Sequence, residues 1–237
     1  MRLDRYLSEA LGLSRSESRA LIARREVTVN GLPAARADLS LTGGEDVALK
    51  GRLLEPAGPV YLMLNKPQGV VSASRDKRDV TVTDLVKEAY PRRQLFPAGR
   101  LDKTSTGFVL LTDDGELAHQ LLAPKRHVSK IYRVLLDTPC TPEMAAGFEA
   151  GVTLADGQGL DPAGLWPDPA DPCWATVELR QGVYHQIKRM FGVFGAGVNG
   201  LHRQAIGGVP LDEALAPGQW RPLRAEEVER LRRACGA

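Results

Sequence analysis

The stretch "GRLDKTSTGFVLLTDDG", residues 99–115, carries three aspartates around an apolar run. Residues 107–111 read as a buried strand, because an apolar run of this length between turn signals suits a sheet interior. Asp113 and Asp114 precede Gly115 and read as a turn, with Asp114 placed to cap a helix from Glu116. Asp102 is different. It precedes "KTST", a tract too hydrophilic for a core, and Gly99 allows a sharp turn or a close approach of the backbone to a ligand. Taken alone, "GRLD" suits a structural Arg–Asp pair as well as it suits chemistry.

Working outward, the C-terminal part mixes strands and helices without a βαβ rhythm, which points to α+β. Strands are expected at 60–64, 107–111, 130–136, 175–179 and near 205–207. Helices are expected at 83–88, 116–122, 142–151, 183–194 and 225–233. Toward the N-terminus, "GRLLEPAGP" (51–59) reads as a linker. Before it, "RLDRYLSEAL" spaces Leu3, Tyr6, Leu7, Ala10 and Leu11 as one helix face. Ser14 and Glu17 form a capping-box pattern for a second helix, with Ala20, Leu21 and Ile22 on its apolar side. "VTVNG" then predicts a strand turning at Asn30-Gly31, and "LTGGEDVALK" a further turn and strand. The expected domains are therefore 1–50, a linker at 51–59, and 60–237.

Composition narrows the class. The 237 residues are 43% hydrophobic and 25% charged, ordinary for a globular chain, and no apolar run approaches a membrane span. "MRLDRYLSEA" lacks the apolar core of a signal peptide, so the cytoplasm is the expected location. Cys140, Cys173 and Cys235 are far apart and form no CxxC, so reduced thiols are expected rather than zinc. Net charge is only +2, but residues 1–36 hold seven arginines against four acids. Arg2, Arg5, Arg15, Arg19, Arg24 and Arg25 among them suit phosphate, since guanidinium forks match its oxygens. There is no P-loop, HExxH motif or internal repeat.

Two short helices with spaced arginines, then "REVTVNG" and "GGEDVAL", resemble the S4-type RNA-binding module. "GRLDKTSTGFVLLTDDG" resembles the signature of the pseudouridine synthases, which isomerise uridine in RNA. Three other stretches match that family in order: "LNKPQGVVS" (64–72), "KRHVSKIYRV" (125–134) and "LRQGVYHQIKRMF" (179–191). Departures are Thr104, Ser105, Phe108 and Ile131. "YHQIKRMF", "LHRQAIGG" and "LAPGQWRPL" together look most like the small-subunit branch of the family, and the likeness spans essentially the whole chain.

The resemblance implies a small S4-like domain followed by a mixed, mainly antiparallel sheet with flanking helices. It implies a catalytic Asp102, Tyr132 placed to stack on the uracil, and Lys188 as the cation beside the aspartate. It implies no cofactor and no metal. Arg100, Lys66, Arg189 and Arg203 join the N-terminal arginines as expected RNA contacts. His185 is expected to be a structural hydrogen-bonding residue. The implied partner is ribosomal RNA in a small-subunit assembly intermediate, with uridine 516 of that RNA as the target, and the protein acting as a monomer. Alternatives are a large-subunit enzyme, a non-catalytic assembly factor, and a glycosidase-like hydrolase. The last would want a second carboxylate where the motifs supply lysine and tyrosine.

Overall fold

Local signals in the first fifty residues close into a small unit with its own core. The computed structural model describes residues 1–42, 44–54, 58–91, 93–154 and 156–236. Helix α1 (Leu3–Leu11) ends at Gly12 in the left-handed conformation, and α2 (Arg15–Ala23) starts with the Ser14–Glu17 capping box formed on both sides. Strands β1 (Val27–Val29) and β2 (Leu32–Pro33) form a two-residue hairpin. Asn30 and Gly31 both have positive φ, as the tight mirror-image turn requires. Then β3 (Val47–Leu49) and β4 (Arg52–Leu53) complete a sheet of order β2-β1-β3-β4.

Leu3, Tyr6, Leu7, Ile22, Val27 and Val47 are buried together. Of the three residues expected on the apolar side of α2 only Ile22 is buried, while Ala20 is exposed. Arg52 and Leu53, expected in a linker, instead hydrogen-bond to β3. The rest of that expected linker includes 55–57, outside the described residues, as does Gly43 in "LTGGEDVALK".

The chain divides into two compact units, one of Met1–Pro59 with Ala89–Gln94, the other of Val60–Glu88 with Leu95–Ala237. The second is built on a sheet. Its strands and helices in chain order are β5 (Tyr61–Lys66), β6 (Phe96–Pro97), β7 (Thr106–Thr112), α3 (Gly115–Leu122), β8 (Lys130–Leu136) and α4 (Pro142–Ala150). There follow β9 (Val152–Thr153), β10 (Gly159–Leu160), β11 (Gly164–Pro167), β12 (Trp174–Leu179) and α5 (Gln186–Val193). Last come β13 (Val198–Ile206), β14 (Val209–Pro210), β15 (Trp220–Pro222) and α6 (Ala225–Ala234).

The main sheet runs β11-β12-β8-β13-β7-β5-β15. Its pairs are antiparallel except β13 with β7, where His202 faces Thr106 and Arg203 faces Gly107. One face packs Met63, Phe108, Leu110 and Ile206 against Leu117, Leu121 and Leu231 of the flanking helices. Phe148 of α4 packs on Phe191 of α5, ring centroids 4.7 Å apart. Among the described residues no helix is long and apolar enough to cross a membrane.

Two expectations are corrected. Residues 83–88 form turns, not a helix. Asp84 accepts both the Thr81 amide and hydroxyl, and Val86 bonds back to Thr83, so the backbone closes i→i+3 turns and goes no further. The strand expected near 205–207 is a nine-residue strand from Val198, bulged between Val198 and Gly200 and again between Arg203 and Ala205.

Asp114 caps α3 as its position suggested, accepting from the amides of Glu116 and Leu117 and from the Tyr61 hydroxyl at 2.6 Å. Burial would raise its pKa, but these hydrogen bonds outweigh it and hold the carboxyl below the usual range. Asp114→Ala is expected to cost about 1–2 kcal/mol in urea denaturation, since it removes the cap and takes away the acceptor of the Tyr61 hydroxyl proton.

Candidate active site

The segment after β5 holds the Asp102 loop in place. The Ser72 hydroxyl donates to the Leu101 carbonyl and accepts from the Leu101 amide, each at 3.0 Å, so both backbone groups beside Asp102 are fixed by one side chain. The Gly69 amide donates to the Lys103 carbonyl at 2.8 Å. Lys66, fully buried, donates to the carbonyls of Ser105 (2.6 Å), Pro67 (3.1 Å) and Lys103 (3.5 Å). The two stretches that looked like separate motifs in the sequence are therefore one structural unit, a loop and its anchor.

Asp102 itself is partly open, its side chain 30% exposed. Its Oδ2 lies 3.6 Å from Lys188 Nζ and its Oδ1 lies 3.2 Å from His185 Nε2. Lys188 also donates to the Thr104 hydroxyl at 3.3 Å. Both neighbours come from the start of α5, His185 as N-cap and Lys188 three residues on, spacing that puts them on one face of a helical turn. Asp102 thus has a nitrogen group facing each of its carboxylate oxygens. This arrangement supports nucleophilic or general-base work, not paired-carboxylate hydrolysis.

Tyr132 is buried on β8, directly across from Arg203 of β13, whose guanidinium carbon lies 6.0 Å over its ring. Arg203 faces Gly107 on its other side, so Tyr132, Arg203 and Gly107 lie in one row across three strands. Arg203 donates from Nε to the Phe108 carbonyl at 2.7 Å, and its buried Nη2 has no partner among the described residues.

Lys66 and Arg203 were expected at an RNA-facing surface. Both are buried, 0% and 2% exposed, and their protein hydrogen bonds go to backbone carbonyls beside the Asp102 loop and on β7. Arg100 is exposed and makes no ion pair among the described residues. Arg189 is committed to Asp156 and Gln158. In the first unit, Arg2 and Arg19 both pair with buried Asp4, and Arg5 pairs with Glu9. Burial would raise Asp4, but the Arg2 and Arg19 hydrogen bonds prevail and keep it low. Arg15, Arg24 and Arg25 are exposed and make no ion pair among the described residues.

Three comparisons with known proteins bear on this geometry. A family model for RNA pseudouridylate synthase matches residues 60–192, and one for the S4 domain matches 1–47. The chain belongs to the RNA pseudouridylate synthase family. It is 42% identical to the ribosomal small subunit pseudouridine synthase A of Yersinia pestis, over 96% of this chain and 97% of that one. It is 41% identical to the protein of the same name from Escherichia coli K12, over 96% and 98%. A crystal structure of a pseudouridylate synthase superposes with a TM-score of 0.69 at 36% identity, covering 98% of this chain and 99% of that one. The chain is thus an RNA pseudouridine synthase with an N-terminal S4 domain.

Burial gives this synthase an unusual lysine. Desolvation drives the Lys66 pKa from 10.5 down to about 8; the nearby Asp102 charge opposes the fall and Arg203 adds to it. The unfolded chain holds that proton up to about 10.5, the folded chain only to about 8. Folding is therefore penalised below pH 8, and stability rises as pH climbs through this window. The contribution is about 3 kcal/mol at most. Denaturation of wild type and Lys66→Met from pH 7 to 10.5 isolates it: the rise attributable to Lys66 is present in wild type and missing in the variant.

Proposed function

We propose that this protein isomerises a uridine of small-subunit ribosomal RNA to pseudouridine, with Asp102 as the reacting carboxylate. The observation that carries this reading is the Asp102 carboxylate, held by an anchored loop within reach of His185 and Lys188. Its ribosomal part draws on the names of the similar proteins from Yersinia pestis and Escherichia coli.

The reaction breaks the bond from ribose C1′ to uracil N1, turns the base, and joins C1′ to C5. The proton on C5 leaves and N1 gains one, so nothing is consumed. Asp102 drives it as an anion, by attack on C1′ or by taking a proton from the sugar, and either role fails in the protonated acid. Lys188 faces its Oδ2. Tyr132 lies under the base and assists the proton leaving C5. The target is stacked in folded RNA and must be flipped out, at a cost of a few kcal/mol. Arg100, exposed beside Asp102, fills the vacated space or holds a phosphate. Arg15, Arg24 and Arg25, which make no ion pair among the described residues, are S4-domain arginines open to phosphate, so affinity falls steeply with salt.

The test is tritium release from RNA carrying uridine tritiated at C5. Small- and large-subunit RNA are offered separately, each naked and with bound ribosomal proteins. Release from small-subunit RNA, at uridine 516, is the expected result. Release only from large-subunit RNA overturns the target and keeps the chemistry. Tight binding without release from any RNA overturns the catalytic reading.

A further inference from the structure

Lys188 alone holds Asp102 loosely. Its Nζ is 3.6 Å from Oδ2, and its hydrogen bond goes to Thr104 instead. A long, flexible side chain at that distance leaves the carboxylate free to rotate. His185 Nε2 is nearer its oxygen, at 3.2 Å from Oδ1, and its ring is stacked by a neighbouring aromatic.

The backbone of His185 has φ +48° and ψ +33°, left-handed geometry that costs a non-glycine residue about 1 kcal/mol or more. The Tyr184 ring stacks on the imidazole, centroids 3.8 Å apart and planes 17° from parallel. Tyr184 is 75% exposed, so core packing does not explain its position. Buried Gln186 closes the turn, accepting from the Val183 amide at 3.1 Å and donating to Gln181 at 3.2 Å.

We propose that His185 is a positioning residue for Asp102: the Tyr184 ring holds the imidazole, Nε2 restrains Oδ1, and Oδ2 is left to meet the ribose. The inference rests on Asp102 being the reacting carboxylate. The benefit is orientational, because a misplacement of about 1 Å at a reacting group costs about 10²-fold in rate.

The experiment uses the full chain and an RNA on which wild type releases tritium. A wild type that releases none fails the functional reading before any variant is made. Single-turnover rate and RNA affinity are measured separately, with melting temperature alongside. His185→Ala is expected to slow the single-turnover step about 10- to 100-fold while affinity stays within about twofold. His185→Gln, which keeps an N–H donor, recovers most of the rate. Tyr184→Ala loses rate several-fold, and Tyr184→Phe, which keeps the ring, recovers it.

The double variant His185→Ala/Tyr184→Ala is expected to be no slower than His185→Ala, because the tyrosine acts only through the imidazole. A His185→Ala protein at wild-type rate overturns the proposal, as does a loss confined to affinity. A folded His185→Gln protein that stays as slow as His185→Ala also overturns it. Additive losses with weakened affinity in Tyr184→Ala make Tyr184 an RNA-stacking surface and overturn its part in positioning.

Discussion

Asp102→Asn protein is expected to bind RNA as wild type does and to release tritium at least ~10⁴-fold more slowly in single turnover. The amide nearly matches the carboxylate in shape, so the loop held by Ser72, Gly69 and Lys66 should keep its form. What changes is charge. An amide neither attacks a sugar carbon nor removes a proton, and it loses its Coulomb attraction to Lys188. The loss therefore appears in the chemical step and not in binding, which separates a reacting group from a binding one. Equal rates for wild type and variant would remove Asp102 from the reaction and leave this loop without an assigned chemistry.

The largest expected structural effect lies five residues away. Gly107→Ala should lower stability by about 3–5 kcal/mol, summing positive-φ strain and backbone overpacking. Gly107 has φ +102°, a region side chains avoid. A methyl carbon there would lie 2.6 Å from the Arg203 backbone nitrogen and closer still to its carbonyl oxygen. Backbone cannot swing aside as a side chain can, so β13 would have to move off β7. Urea denaturation measures the cost, and the synthase activity of the folded fraction measures whether the Asp102 loop survives. An alanine variant as stable as wild type would show that the β7–β13 contact is not as rigid as the geometry requires.

The sequence was legible where the physics is local. The Ser14–Glu17 box, the Asn30-Gly31 turn and the Asp114 cap depend on residues within a few positions of each other, and each forms as its pattern suggests. Strands β7, β8 and β12 announced themselves by apolar runs or alternation. Residues 83–88 misled because their helical spacing was outweighed by Thr81–Asp84 hydrogen bonds. The first half of β13 has no unbroken apolar run or alternation to mark it, and its register shifts between Val198 and Gly200.

At the candidate site, the family resemblance singled out Asp102, Tyr132 and Lys188. It gave no sign that Lys66 and Arg203 are internal, because a lysine at a strand end looks solvated until the loop that covers it is known. His185 was visible only as a neighbour of Lys188. Its approach to Asp102 joins residues 83 positions apart, counted from 102 to 185, and no local pattern encodes that.

The position of β13 also fixes when this protein becomes an enzyme. This strand sits mid-sheet between β8 and β7, yet it is the third strand from the C-terminal end of the chain. During synthesis, residues up to about 190 can emerge with β7 and β8 still lacking the strand that joins them. Pairings this distant in sequence form late, since loop closure must precede any gain from contact. A ribosome-bound fragment would thus carry β7 and β8 without the strand that aligns Tyr132, Arg203 and Gly107 in one row. The complete sheet is therefore available only once the last quarter of the chain has been made.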